Sequence, residues 1–287
     1  MKTSLSHLPQ TKQEQIFQIV EIIKEAAAPE KIILFGSYAK GNYVEHRYTG
    51  KGGILYEYIS DYDLLVVTKE NKIKEYELDD IVRNRTQQYR IPINIQIHEI
   101  DYINKGLEFG QYFFTDIIKE GVLLYDTKKV EFADLLELSP KEEKKISQVY
   151  FDIWFRRSQE FLIDAKHAFN RDSYSKAVFE LHQATENLYY TILLVFTGYK
   201  PKTHNLHKLR KYAKPISEEL FLVFPIENDN SEKHLFDLLK AGYIDARYND
   251  DFKITRDELL MLFERFEKLR ILVENLSKEK IASIPSV

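Results

Sequence analysis

The hydrophobic residues in the first part of the chain follow both a helical and an extended period. Four of them recur at the three- and four-residue spacing of an amphipathic helix, namely Ile16, Ile19, Val20 and Ile23. This spacing predicts a helix over residues 12–28. Apolar runs rich in β-branched and aromatic residues predict strands at 32–35, 55–67, 91–98 and 122–125. Further helical patterns lie at 73–89 and, interrupted near Gly106 and Gly110, at 100–119.

Beyond residue 140 the pattern is helical throughout. Five segments predict helices, at 140–169, 173–197, 206–223, 231–246 and 255–277. The charge-rich stretch 126–145 contains Ser139-Pro140, which favours a helix start with Ser139 as the N-cap and Pro140 in the first turn. We therefore predict an α+β chain of two domains, a mixed β-sheet with flanking helices at 1–130 and a helical bundle of four or five members at 138–280.

A glycine–serine turn follows the first predicted strand. Gly36 has no Cβ, so a phosphate can approach the backbone closely at this point. Ser37 offers a hydroxyl and Lys40 a positive charge, and the free N–H groups of a helix starting near Tyr38 favour an anion. These features predict a phosphate site, although an ordinary strand-to-helix turn has the same sequence.

Two carboxylates lie in the second predicted strand. Because side chains alternate between the faces of a strand, Asp61 and Asp63 are expected to point the same way, about 7 Å apart at the backbone. Such a pair suits a hard cation such as Mg²⁺, which takes oxygen ligands, but a solvated strand edge is an alternative. The glycine–serine turn and the carboxylate pair, in this order and strand context, favour a metal-dependent phosphate site.

The order hydrophobic-Gly-Ser, spacer and Asp-x-Asp resembles the nucleotidyltransferase superfamily of the polymerase-β type, in particular its minimal nucleotidyltransferases. The resemblance covers residues 12–127 and maps onto Gly36, Ser37, Asp61 and Asp63. It implies a nucleoside triphosphate bound with Mg²⁺ or Mn²⁺ and transfer of a nucleotidyl group to an acceptor hydroxyl. ATP is the expected nucleotide.

The same resemblance implies a role for each matching residue. Asp61 and Asp63 would be catalytic and would hold the metal. The nucleotide would be bound by Gly36, Ser37 and Lys40.

Two features depart from the family pattern. The spacer is about twice as long as usual, and its extra part, 42–60, contains glycines and tyrosines that predict an inserted hairpin. The glycines are Gly50, Gly52 and Gly53. The family also carries a third carboxylate on a neighbouring strand, where the polar face here presents Asn94, Gln96 and His98. Asn94 or Gln96 would therefore take its place with an uncharged amide oxygen.

Polar residues also concentrate at three places in the predicted bundle. His182 and Glu186 lie at i and i+4 on one helix face, in a structural or interface role or as two ligands of a metal. The segment 200–207 brings His204 and His207 to a helix start, as a capped turn or a phosphate-facing loop. Another segment carries Arg247 beside Tyr248, where the guanidinium suits a salt bridge or a phosphate.

These bundle segments together resemble the HEPN domain over residues 140–280, and they lie at 179–186, 204–206 and 246–248. The domain order resembles bacterial fusions of a minimal nucleotidyltransferase with a C-terminal HEPN domain. Many HEPN ribonucleases carry an arginine followed a few residues later by a histidine, and no arginine here has such a partner. The resemblance therefore implies a non-cleaving module that binds nucleotide or RNA through His204, His207, Arg247 and Tyr248 and forms a homodimer.

Composition narrows the functional class further. The 287 residues are 44% hydrophobic, enough for a packed core. The net charge of −4 comes without a strongly basic tract, and the absence of cysteine excludes disulfides and thiolate zinc sites. Residues 1–11 lack the apolar core of a signal peptide, and no apolar run approaches the roughly 20 residues of a membrane span. We expect a soluble cytoplasmic protein without a membrane partner.

Three functional hypotheses remain open from the sequence. The first is a Mg²⁺-dependent nucleotidyltransferase acting on a protein, an RNA or a small molecule such as an aminoglycoside. The second is a catalytically weak or inactive nucleotide-binding regulator of the toxin–antitoxin or defence type, which the missing third acid favours. The third is RNA binding through the bundle.

Overall fold

The computed structural model describes residues 1–49, 55–70, 72–201, 203–227 and 229–285. The chain divides into two compact units, Met1–Glu137 and Leu138–Val287. The first unit combines a small mixed sheet with helices, and the second is helical. The predicted α+β class is therefore confirmed.

The described part of the first unit contains six strands, at β1 Lys31–Phe35, β2 Glu45–Thr49, β3 Leu55–Ile59, β4 Tyr62–Thr68, β5 Ile93–Glu99 and β6 Val122–Asp126. Four of them form the main sheet in the order β5-β4-β1-β6. β4 is parallel to β5, whereas β1 is antiparallel to both β4 and β6. β1 and β4 are central and almost fully buried, as continuous apolar strands predict.

The same part of the chain has five helices, at α1 Gln10–Ala27, α2 Gly36–Lys40, α3 Glu75–Arg85, α4 Ile100–Glu108 and α5 Tyr112–Glu120. α1 and α3 share an apolar cluster with alternate residues of β1, β4 and β5, such as Ile32, Leu64 and Ile95. On the opposite face, Phe113 of α5 packs edge-on against Phe35 of β1, with ring centroids 5.6 Å apart. Strand alternation thus separates a core face from the face that carries Asp63.

The single strand predicted over 55–67 is wrong. The chain forms β3 and β4 instead, with Ser60 and Asp61 between them. The interruption arises because the two strands belong to different sheets: β3 pairs with β2, whereas β4 pairs with β1 and β5. The Ser60 amide donates to the Val44 carbonyl and the Val44 amide to the Ser60 hydroxyl, which closes the β2–β3 ladder at this point.

The strand pairing of the hairpin predicted within 42–60 is confirmed. β2 and β3 pair antiparallel, from Glu45 opposite Ile59 to Thr49 opposite Leu55. The predicted glycine turn lies outside the described residues.

The second unit contains seven helices in its described residues, at α6 Pro140–Asn170, α7 Tyr174–Thr197, α8 Leu206–Ala213, α9 Glu218–Leu222, α10 Asn230–Ala241, α11 Asp245–Tyr248 and α12 Arg256–Ser283. α7 is buried along almost its whole length and packs against α6, α12, α8, α10 and α11. The predicted cap is confirmed, since the Ser139 hydroxyl accepts from the Glu142 amide and Pro140 opens α6.

Two predicted helices are each divided in two. The segment 206–223 becomes α8 and α9, and Pro215 lies between them with no amide hydrogen to continue the ladder. The segment 231–246 becomes α10 and α11 around Gly242. A Cβ on Gly242 would lie 3.0 Å from the carbonyl oxygen of Val178 in α7, so the chain turns where it packs tightly against the central helix.

A buried guanidinium fixes α8, the helix that carries His207. Arg210 has a fully buried side chain and forms a two-pronged ion pair with Glu227 at 2.8 and 2.7 Å. Its Nε donates to the Phe221 carbonyl at 2.9 Å. A charge so deeply buried requires these partners, because a guanidinium left unpaired would cost several kcal/mol.

Candidate functional site

The candidate site lies at the sheet edge where β1 ends and β4 and β5 begin. Phe35 is opposite Asp63 in the β1–β4 ladder, and Asp63 is beside Asn94 in the β4–β5 ladder. Gly36 follows Phe35 directly. Gly36, Asp63 and Asn94, which were predicted from separate segments, therefore meet where these three neighbouring strands begin or end.

Gly36 must be a glycine for two independent reasons. Its φ of +72° lies in the left-handed region, which strains residues that have a Cβ. A Cβ at this position would also overlap Oδ2 of Asp63. The glycine–serine turn thus passes directly against the carboxylate, so a phosphate at the turn and a cation at Asp63 would be neighbours.

The structure distinguishes the two amides considered for the third acid. The Asn94 amide nitrogen donates to Oδ1 of Asp63 at 2.8 Å. Gln96 lies deeper along β5, opposite Leu65, and is only 3% exposed. Its Oε1 has no hydrogen-bond partner among the described residues. Asn94 therefore occupies the position beside Asp63, and it acts there as a hydrogen-bond donor.

The two aspartates lie in different local structures. Asp63 belongs to β4, whose alternation directs it away from the buried side chain of Tyr62. The Tyr62 hydroxyl donates to Oε1 of Gln15 at 2.8 Å on the core face. Asp61 precedes the strand. The shared strand face predicted for the pair is therefore corrected: strand geometry fixes the direction of Asp63 alone.

Ser37 and Lys40 both belong to α2. The helix begins at Gly36, earlier than predicted, so Ser37 lies in its first turn. Lys40 lies at the other end and forms a surface ion pair with Glu120 at 2.5 Å. Both side chains of this pair are about half exposed, so it contributes about 1 kcal/mol or less. The ion pair is weak enough for Lys40 to exchange Glu120 for a ligand.

The inserted hairpin is attached to α2 and to α1 through Glu45. This carboxylate accepts a hydrogen bond from the Tyr38 hydroxyl at 2.6 Å and pairs with the Lys12 ammonium at 2.5 Å. Tyr38 also stacks on Tyr43 and packs against Tyr62, with ring centroids 4.3 and 4.5 Å away. Burial, and then the contact with Glu45, raise the pKa of Tyr38 far above its ordinary value, so its hydroxyl stays a donor.

A second cluster of polar residues forms in the helical unit around Glu186. His204 Nδ1 lies 2.7 Å from Oε2 of this buried carboxylate, and His182 Nε2 lies 3.9 Å from the same oxygen. The Tyr243 ring stacks on both imidazoles, with centroids 5.1 Å from His182 and 4.7 Å from His204. Burial lowers the pKa of His182 to about 4. Burial also raises the pKa of Glu186, against the opposing effect of His204.

Arg247 lies beside this cluster and is held by aromatic rings. Its Nε donates to the Tyr243 carbonyl at 2.7 Å. Its guanidinium lies over the rings of Phe179, Tyr243 and Tyr248, at 4.8, 4.9 and 4.9 Å. Tyr248 is 76% exposed, so this cation–π stack lies at the surface.

His207 is not joined to the Glu186 cluster by any contact among the described residues. Its amide is capped by Oδ1 of Asn205 at 2.9 Å, as the predicted helix start requires. Burial, and then the charges of Lys211 and Arg210, lower the pKa of His207 to about 4.

The sequence interpretation missed Tyr243 and Glu45. Each connects segments that are far apart along the chain, Tyr243 with His182 and Glu45 with Lys12. No local pattern marks such residues, because their neighbours are set by the fold.

Comparison with protein families now decides the identity of the two units. A model of the polymerase beta nucleotidyltransferase family matches residues 17–130. A model of the HEPN domain matches residues 151–276. The chain is a nucleotidyltransferase–HEPN fusion. Comparison with curated proteins finds no match to it.

Each domain of the fusion carries one of the two clusters. The nucleotidyltransferase domain holds Gly36, Asp63 and Asn94, and the HEPN domain holds Glu186 and His204. Among the described residues no group of three or more histidines or acids has the arrangement of a metal site. No described helix is long and apolar enough to cross a bilayer.

The stability of the HEPN domain should fall as the pH drops from 6.5 towards 4. The unfolded chain binds protons at His182 and His207 below the ordinary pKa of 6.5, whereas the folded chain does so only near 4. Within this window each histidine then lowers the free energy of unfolding by about 1.4 kcal/mol for every pH unit. Glu186, with its raised pKa, opposes part of the loss. Thermal unfolding followed by the fluorescence of Trp154, the single tryptophan, measures the effect.

The variant His207→Gln isolates one of these contributions. Its melting temperature should depend less on pH than that of the native chain. His167→Gln removes an exposed histidine of α6 and is the matched control. An equal pH dependence in His207→Gln and His167→Gln contradicts the prediction.

Proposed function

We propose that this fusion is a divalent-cation-dependent nucleotidyltransferase that transfers a nucleotidyl group from a nucleoside triphosphate, with ATP as the first candidate, to an acceptor hydroxyl. The observation that supports it most directly is the meeting of Gly36, Asp63 and Asn94 at one sheet edge. This edge lies within the segment that the nucleotidyltransferase family matches.

The residues present fit a hard cation. Asp63 offers carboxylate oxygens at the turn, and Asp61 follows the hairpin immediately before β4. Mg²⁺ or Mn²⁺ is typically held by one or two carboxylates together with the phosphates of the substrate. When bound, the cation stabilises the charge that develops on the phosphoryl oxygens.

The chain's own residues position the reactants. The glycine turn lets the triphosphate approach the backbone at Gly36, and Ser37 and Lys40 supply a hydroxyl and a positive charge nearby. Asn94 fixes Oδ1 of Asp63 with its amide hydrogen, so the carboxylate keeps one orientation. An amide is a poor base, so Asn94 does not remove the proton of the acceptor hydroxyl.

The second candidate function is nucleotide binding without efficient turnover, in a regulatory protein of the toxin–antitoxin or defence type. The hydrogen bond from Asn94 to Asp63 favours it, because an amide stands where the family carries its third acid. A site with two acids and an amide offers the cation less negative charge than a site with three acids. This loss is expected to reduce the rate of catalysis more than the affinity for the nucleotide.

The first test is transfer of label from α-labelled ATP, GTP, CTP and UTP, with Mg²⁺, onto fractionated cell extract. The native chain should label one fraction. Asp63→Asn should lower the rate about a hundredfold or more, since it removes the charge that holds the cation.

The control for this test is Asp80→Asn, which removes an exposed carboxylate of α3 whose only described ion pair is with Arg83. It should transfer at the native rate. Native transfer by Asp63→Asn would refute the site assignment, provided that circular dichroism shows both variants folded.

Asn94→Asp tests whether Asn94 occupies the position of the third acid. The variant restores a carboxylate beside Asp63 and should raise Mg²⁺ affinity about tenfold, because the site gains a charged ligand. Without metal, the two acids repel and the domain should lose stability. Gln96→Glu adds the same charge deeper on β5 and should bring no gain in affinity. If Asn94→Asp binds Mg²⁺ no better than Gln96→Glu, Asn94 does not occupy the position of the third acid.

A further inference from the structure

The inserted hairpin lies between the two motifs of the candidate site along the chain. Its base, defined here as residues 43–45 together with Ser60, follows α2 on one side and directly precedes Asp61 and β4 on the other. α2 begins with Gly36 and Ser37. The longer spacer therefore separates the glycine–serine turn from the carboxylates in sequence, and the contacts of the hairpin base decide how the two motifs are held together.

On the side of the turn, the hairpin base holds Tyr38 of α2. The Tyr38 hydroxyl donates to Oε1 of Glu45 at 2.6 Å, and the Tyr43 ring stacks on the Tyr38 ring with centroids 4.3 Å apart. Tyr38 is fully buried and comes directly after Gly36 and Ser37. A helix of five residues gains little stability from its own hydrogen bonds, so the position of α2 depends on contacts of this kind.

On the side of the carboxylates, the hairpin base is bonded to the residue that precedes them. The Ser60 amide donates to the Val44 carbonyl at 2.8 Å, and the Val44 amide donates to the Ser60 hydroxyl at 2.9 Å. Asp61 follows Ser60, and Asp63 is the second residue of β4. The same short segment, 43–45, is thus attached both to α2 and to the start of β4.

Glu45 is the residue of this segment whose side chain makes the link to α2. Its Oε1 accepts from the Tyr38 hydroxyl and lies 2.5 Å from the Lys12 ammonium, so α1, α2 and the hairpin meet at one oxygen. A hydrogen bond to a carboxylate is roughly twice as strong as one between neutral groups. The turn at Gly36 passes directly against Asp63, so even a small displacement of α2 changes the distance from the turn to the carboxylate.

We propose that Glu45 is a positioning residue of the nucleotide site, which fixes α2 and the glycine–serine turn relative to Asp63 through the hydroxyl of Tyr38. This inference rests on the proposed function. Glu45 contacts Tyr38 and Lys12 on the core face of the sheet, whereas Asp63 lies on the opposite face. It therefore acts on the nucleotide through α2 and not by contact.

The first measurement is amide hydrogen exchange in the full chain without nucleotide. The amides of Gly41 and Asn42 report on α2, because they donate to the Ser37 carbonyl at 2.9 and 3.1 Å. Tyr38→Phe should speed their exchange about tenfold, as expected when the loss of one charge-assisted hydrogen bond loosens the helix locally.

The matched control is Tyr62→Phe. It also removes the hydroxyl of a fully buried tyrosine, but this hydroxyl donates to Gln15 of α1 at 2.8 Å. Both variants should melt below the native chain, since each leaves a polar partner without its hydrogen bond. Only Tyr38→Phe should speed the exchange of the two α2 amides.

The second measurement is calorimetric binding of ATP with Mg²⁺ to the same chains. Tyr38→Phe and Glu45→Leu should each weaken ATP about tenfold, because the phosphate turn is no longer fixed against Asp63. Tyr62→Phe should bind ATP like the native chain. Glu45→Gln keeps an oxygen that accepts from the Tyr38 hydroxyl, so it should stay within about twofold of the native affinity.

Three results overturn the inference. They are unchanged exchange of the α2 amides in Tyr38→Phe, faster exchange with native ATP affinity, and equal losses of ATP affinity in Tyr38→Phe and Tyr62→Phe. The last would assign the effect to the general stability of the core. Failure of Mg²⁺–ATP to bind the native chain would instead refute the proposed function, and the role of Glu45 with it, whereas the exchange rates would still show whether Tyr38 and Glu45 hold α2 in place.

Discussion

The carboxylate of Asp63 is confined between two neighbours, and the rest of the site depends on this confinement. On one side, the missing Cβ of Gly36 lets the turn after β1 pass against Oδ2. On the other, the amide of Asn94 holds Oδ1 at 2.8 Å. A carboxylate fixed in this way is preorganised for a cation, because binding requires little further ordering of the side chain. The inserted hairpin is anchored on the core face of the same sheet, where Glu45 contacts Tyr38 and Lys12.

Much of the fold follows from local sequence patterns. The periodicity of α1, the apolar runs of β1 and β5 and the cap at Ser139 are properties of short segments, so the sequence predicts them well. The boundary at Ser60 and Asp61 is different, because β3 and β4 have the same strand-forming composition and are separated only by their choice of partner strands. The segment 206–223 forms two helices, and Pro215 is a local signal for the break between them. A prediction that uses only the spacing of hydrophobic residues overlooks this signal.

Some residues of the candidate site also follow from local sequence patterns, whereas others require the structure. Gly36, Ser37 and Asp63 follow from the order of two motifs, which lie within the segment that the family model matches. The choice between Asn94 and Gln96 requires the β4–β5 register, which strand alternation alone does not provide. The pairing of Glu45 with Lys12 and the place of Tyr243 between two imidazoles arise from contacts between distant segments. These features become visible only when the packing is known.

The most direct test of the central claim is calorimetric binding of ATP, with and without Mg²⁺, to Gly36→Ala and Gly41→Ala. Both glycines have a positive φ, +72° and +82°, so both variants carry similar backbone strain. Only the new Cβ at position 36 would displace the Asp63 carboxylate, since a Cβ at position 41 would approach His7 instead. We expect Mg²⁺-dependent binding in the native chain and in Gly41→Ala, and its loss in Gly36→Ala. Native affinity in Gly36→Ala would contradict the account.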